Sequence, residues 1–149
     1  MNREEPVLQL VDVLRTDFRP SSDTDALNAE LQQALCLPYR YHPARLAIGL
    51  SLQDPSPPTP VQDASGRPIK GETLFGHEEH DLAVWLGLLI EHSGTHGITK
   101  RMLQETVAAH WHRGMQRLWL HWTEHAGQDI LNFYASLLDT AGRSGPSSS

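Results

Sequence analysis

The chain has 149 residues, a formal net charge of −6 and a mean hydropathy of −0.41, values of a water-soluble globular domain with room for a real core. No stretch reaches the roughly 18 consecutive apolar residues of a membrane span, and the N-terminus has no basic start leading into an apolar run, so a cytoplasmic protein is expected. The single cysteine, Cys36, excludes an internal disulfide; between Leu35 and Leu37 it is expected to be buried.

Val7 to Arg15 alternates aliphatic and polar residues and suggests a strand; a lone strand would leave backbone groups unpaired, so it is expected at an interface. Pro20-Ser21-Ser22-Asp23 then offers N-caps, and Leu27, Leu31 and Leu35 at i, i+4 and i+8 predict an amphipathic helix over 26–35. Pro43 suits the first turn of a second helix, PARLAIGLSLQ, although Leu46, Ile48, Leu50 and Leu52 also alternate as a strand would. Prolines 55, 57, 58, 60 and 68 forbid regular structure over 54–68 and make it a connector.

Beyond it, Ile69 to His92 reads as a short extended piece, a turn at Gly76, and a helix with Glu78, Glu79 and Asp81 at its start and a stop at Ser93-Gly94. Leu82, Val84, Trp85, Leu86, Leu88, Leu89 and Ile90 make this helix apolar nearly all round, so it is expected to be the enclosed central helix. Thr99 can cap a long helix whose apolar period runs from Met102 to Trp122, with Gly114 either dividing it or tolerated. Ile130, Leu131, Tyr134, Leu137 and Leu138 define a last helix, and residues 141–149 read as a disordered tail. The chain is read as one domain over 1–140: a ribbon-helix-helix-like part (7–52), the connector (53–68) and a helical part (69–139).

Nine histidines invite a metal reading. His121-Trp-Thr-Glu124-His125 fits the H-x-x-E-H pattern of inverted zinc peptidases, in which two His hold zinc and Glu acts as base. That pattern needs a third ligand, for which only Asp129 and Asp139 follow, and a polar helix edge beside Trp119 and Trp122 is the preferred reading. His77, Glu78, Glu79, His80 and Asp81 read as a solvated helix start. There is no phosphate loop and no nucleophile motif; Ser51 and Ser93 have no evident base, so neither a catalytic residue nor a cofactor is expected.

Charge is uneven. Arg40 and Arg45 stand in an acid-free stretch, and Lys100, Arg101, Arg113 and Arg117 face Glu105 alone over 100–120. With Arg15 and Arg19 these eight are the candidate phosphate-contacting residues, each weighed against a role in holding the fold.

Three short segments taken together resemble the DndE family of bacterial DNA phosphorothioation: Arg45-Leu46-Ala47 followed by Leu50-Ser51-Leu52; Thr73-Leu74-Phe75-Gly76 followed by Glu78 and the apolar helix; and His110-Trp-His-Arg113-Gly114. Their order, and the proline-rich connector between the first two, also fit over roughly residues 7–125. The resemblance implies a mainly helical fold with a ribbon-helix-helix-like core, a homo-oligomer with a tetramer as the expected form, and no catalytic residues. It implies binding of DNA, nicked duplex above all, and work beside sulfurtransferase and ATPase subunits. Arg45 and Arg113 are the family-motif arginines, with DNA contact and support of the fold both open for them.

Overall fold

A computed structural model describes residues 8–125 and 129–143, with side chains as far as Leu138. In chain order the described elements are α1 (Leu10–Leu14), β1 (Asp17–Phe18), α2 (Ser22–Ala34), α3 (Tyr41–Leu52), β2 (Ile69–Lys70), α4 (Gly71–Leu74), α5 (Glu79–Ser93), α6 (Lys100–Glu124) and α7 (Ile130–Arg143). The fold is mainly helical, as expected. Among the described residues the one sheet is the antiparallel pair β1–β2, with Asp17 opposite Lys70 and Phe18 opposite Ile69.

The first correction lies at the N-terminus. Residues 10–14 form a helical turn rather than a strand; Val7 itself lies outside the described residues. Asp12 Oδ2 accepts from the Gln9 backbone N–H at 3.3 Å, Thr16 Oγ1 donates to the Asp12 carbonyl at 2.7 Å, and Val13 alone is fully buried. Among the described residues the strand nearest this segment is β1, which pairs with β2 of the same chain, so the ribbon-helix-helix description holds only loosely.

α2 begins where expected: Ser21 is its N-cap, its Oγ accepting from the Thr24 N–H at 3.1 Å. It ends at Leu35, after which Cys36 adopts φ +54° and is exposed, not buried. The left-handed turn ends the helical period, so the apolar neighbours of Cys36 in sequence do not share its direction. Residues 43–52 are helical within α3, which settles the choice against a strand.

The enclosed central helix is α6. It runs unbroken through Gly114, and Leu103, Val107, Trp111, Met115 and Leu118 are fully buried along it. Residues 79–93 form a helix as expected and stop at Gly94 with φ +66°. However, Leu82, Leu86 and Leu89 bury one face, whereas Val84 is 62% and Leu88 46% exposed. An apolar circumference did not make α5 central; it lies at the edge with its outer apolar residues in solvent.

α3 packs along α6 at very short range. A Cβ at Gly114 would overlap the Ala47 carbonyl, so only glycine lets the two backbones approach this closely. α7 extends to Arg143, into the expected tail; residues 144–149 lie outside the described residues. Phe133 from α7 is buried and meets Trp122 edge-on, ring centroids 5.2 Å apart.

Candidate nucleic-acid interface

Of the three segments that carry the resemblance, the first, on α3, meets each of the other two. Arg45 on α3 donates from Nε to the Leu74 carbonyl at 2.5 Å and from an Nη to the Thr73 carbonyl at 3.0 Å, satisfying the otherwise orphaned end of α4. Its guanidinium also lies 4.3 Å from the centroid of the Tyr41 ring. Arg113 on α6 donates to Ser51 Oγ, the Ser51 carbonyl and the Ser56 carbonyl, each at 2.8 Å, closing the C-terminus of α3 where the connector begins. The remaining residues around it are accounted for in the same way: Trp111 Nε1 donates to Asn28 Oδ1 at 3.2 Å, His112 Nδ1 meets Thr24 Oγ1 at 3.0 Å, and Gly114 admits Ala47. For Arg45 and Arg113 the structure thus shows the fold-supporting role.

Arg40 and Arg117 are engaged too. Arg40 binds the Arg67 and Pro68 carbonyls at 3.0 and 3.2 Å and the Asp25 carboxylate at 3.2 Å. Burial pushes the Asp25 carboxyl up, but the Arg67 backbone and guanidinium and the Arg40 charge outweigh it and hold it below the usual range. Arg117 bonds Asp54 Oδ2, and with Ser56 and Arg113 it depresses the Asp54 carboxyl strongly. Together with Asp63, which accepts from the Ser22 N–H and hydroxyl at 3.2 Å, these contacts strap the connector down at both ends.

The other four candidates come together. Arg15, Arg19, Lys100 and Arg101 line a cleft of about 680 Å³ with Asp17, Gln104 and Glu105, closed on one side by Pro60, Val61 and Ala64 of the connector. Gln104 Nε2 donates to the Asp17 carbonyl at 3.0 Å and ties α6 to β1 beneath it. Four cations against two carboxylates leave the lining positive. Lys100 and Arg101 occupy the first turn of α6, where the helix dipole disfavours cations by about 0.3–1 kcal/mol each. Arg101 pairs with Glu105 at 3.1 Å in full solvent, Arg19 makes a long 3.4 Å contact with the Gly66 carbonyl, and Arg15 and Lys100 form no ion pair among the described residues. The lining therefore carries a net positive charge that its own contacts leave partly uncompensated.

The histidines divide differently from the sequence reading. His121 Nε2 is 2.7 Å from Ser136 Oγ, and His125 Nδ1 is 2.8 Å from the His121 carbonyl. Asp129 bonds the Asn132 N–H and side-chain amide at 2.9 and 2.8 Å at the start of α7, and the Asp139 side chain lies outside the described residues. The two motif histidines are thus engaged within α6 and with α7, and no group of three or more metal-binding side chains occurs among the described residues. Ser51, expected to lack a base, lies 2.8 Å from His110 Nδ1. Both are fully buried, and Arg113 already donates to the same Oγ, so this is a core hydrogen bond and not an activated nucleophile. Burial, then the charges of His92 and Arg113, lowers the His110 pKa to about 4. The residues are 59 apart in sequence, which is why the pair was not legible there.

No described helix is long and apolar enough to cross a membrane. No curated protein matches the chain significantly. The family model for DndE, DNA sulphur modification protein DndE, matches residues 19–125, the span that holds all three interlocking segments and most of the basic cleft. The chain therefore belongs to the DndE family of DNA sulphur modification proteins.

Proposed function

We infer that this chain is a non-catalytic subunit of DNA phosphorothioate modification that holds DNA phosphates in the cleft of Arg15, Arg19, Lys100 and Arg101. The observation that carries the reading is the placing of two cations in the first turn of a 25-residue helix, facing two more across a cleft. That arrangement costs stability and favours a bound anion. Membership of a family of DNA sulphur modification proteins supports reading the anion as DNA. Arg40, Arg113 and Arg117, engaged with the connector and its flanks, act by keeping the connector wall of the cleft in place, while Arg45 holds the end of α4. The resemblance adds nicked duplex as the preferred form, sulfurtransferase and ATPase subunits as partners, a cytoplasmic setting and a homotetramer. Exposed Val84, Leu88, Leu131 and Leu138 supply apolar surface for such contacts.

The test is a fluorescence anisotropy titration of the purified chain against intact, nicked and single-stranded DNA at two or more salt concentrations. Four phosphate contacts per subunit give a log–log salt slope of about −3 to −4. Arg15→Glu with Lys100→Glu is expected to weaken all forms together and to reduce that slope by about 2. Unchanged binding in the double variant would move the site elsewhere. A second reading, a protein-interaction adaptor without DNA affinity, is motivated by the net charge of −6 and would be left standing if no DNA form bound at low salt.

A further inference from the structure

Beside β2 the chain carries an aromatic stack. The Tyr39 and Tyr41 rings lie parallel, 6° apart in plane with centroids separated by 5.4 Å. His42 meets both edge-on, at 5.6 and 4.5 Å. Arg45, itself bonded to the Thr73 and Leu74 carbonyls, lies over Tyr41 and braces the inner ring of the stack. Yet its outer member is not packed away: Tyr39 is 57% exposed. A ring present only to fill the core would be covered; this one is pre-ordered and open.

The stack lines a cleft of about 440 Å³, within the roughly 300–1,000 Å³ typical of small-molecule sites. Gln32, Thr73 and Lys70 contribute hydrogen-bonding groups to it, and no carboxylate lines it. Lys70 is also the cross-strand partner of Asp17, which lines the basic cleft, and their side chains meet at 3.7 Å. The two clefts thus adjoin through the β1–β2 pair, one lined by Asp17 and the other by Lys70.

We propose that this second cleft takes one unpaired nucleobase, stacked on Tyr39 with its edge toward Gln32 and Thr73, while the adjoining phosphates cross β1–β2 past Lys70 into the basic cleft. The proposal rests on the DNA-binding reading above and adds to it a way of sensing a base that has lost its partner. Stacking on an aromatic ring tolerates any base, so no sequence preference follows.

The experiment uses the full chain with 2-aminopurine at the unpaired position of a single-base-gapped duplex and, separately, within an intact duplex. The unaltered chain is expected to change the probe's fluorescence in the gapped DNA alone. Tyr39→Leu is expected to abolish that change and to weaken gapped DNA by roughly 5- to 100-fold, whereas Tyr39→Phe keeps both. The loss is confined to DNA with an unpaired base. If Tyr39→Leu binds gapped DNA as tightly and with the same fluorescence change, while Arg15→Glu with Lys100→Glu weakens both DNAs, the stacking site is refuted and the DNA-binding reading stands. If the unaltered chain binds neither DNA at low salt, both fall.

Discussion

His110 should make this protein acid-sensitive by a calculable amount. Its imidazole is fully buried, bonded through Nδ1 to Ser51, with its ring centroid 4.6 Å from that of His92. Burial first, and the neighbouring positive groups second, lower its pKa from 6.5 to about 4. The folded state therefore keeps His110 neutral in a range where the unfolded chain protonates it. The contribution is fully present above pH 6.5, declines as pH falls, and is exhausted below about pH 4. A shift of this size corresponds to about 3 kcal/mol in all, and about 2 kcal/mol is lost by pH 5. Urea unfolding at pH 7.5 and pH 5 of the unaltered chain and of His110→Gln isolates it, because every other titrating group is common to both. The difference between pH values should shrink by about 2 kcal/mol in the variant. Equal pH dependence in both proteins, or a His110 imidazole resonance that titrates near 6.5 in the unaltered chain, would refute the reasoning.

Gly114→Ala should lower stability by about 1–3 kcal/mol despite the ~1 kcal/mol that alanine normally contributes to a helix, because α3 must move away from the new methyl. A melting temperature at or above that of the unaltered chain would mean the helices are not this close. Arg45→Lys should destabilise nearly as much as Arg45→Ala, roughly 1–3 kcal/mol in urea unfolding, since a point charge cannot reach both the Thr73 and Leu74 carbonyls in a fixed fork. Full rescue by lysine would show that charge, not geometry, matters there. By contrast, Arg15→Glu with Lys100→Glu should leave the melting temperature unchanged or raise it slightly, as a carboxylate suits the first turn of α6 better; a large fall would assign these residues to the fold.

Most of the helices were legible in the sequence because their periods, caps and stops are local: Ser21, Thr99 and Gly94 each act within a few residues of themselves. Residues 7–15 misled because a stretch of nine fits both periods, and the choice was made by a Gln9–Asp12 cap and by burial of Val13 alone. The rank of α5 and α6 was inverted for a different reason. Apolar content says how much surface seeks cover, but which helix is enclosed depends on how closely partners approach, and Gly114 against Ala47 decided that. The candidate site was half legible. All eight basic positions could be named, but the division between those engaged by the fold and those facing the cleft depends on partners far away in sequence, such as the Arg67 carbonyl for Arg40, the Ser51 carbonyl for Arg113 and the Asp54 carboxylate for Arg117.

The strapped connector makes the chain divisible. Between Pro57 and Gln62 the backbone takes part in no helix or strand, while its anchors, Asp54 on Arg113 and Arg117 and Asp63 on Ser22, lie outside that span. A single cut there separates α3 from α6 and β1 from β2 in covalent terms only. The close α3–α6 seam, the sheet and the Asp63 contact all cross it, so the two fragments should assemble on mixing, each serving as the other's template. The fold can accordingly be treated as a two-piece complementation system whose reconstitution reports on the seam itself.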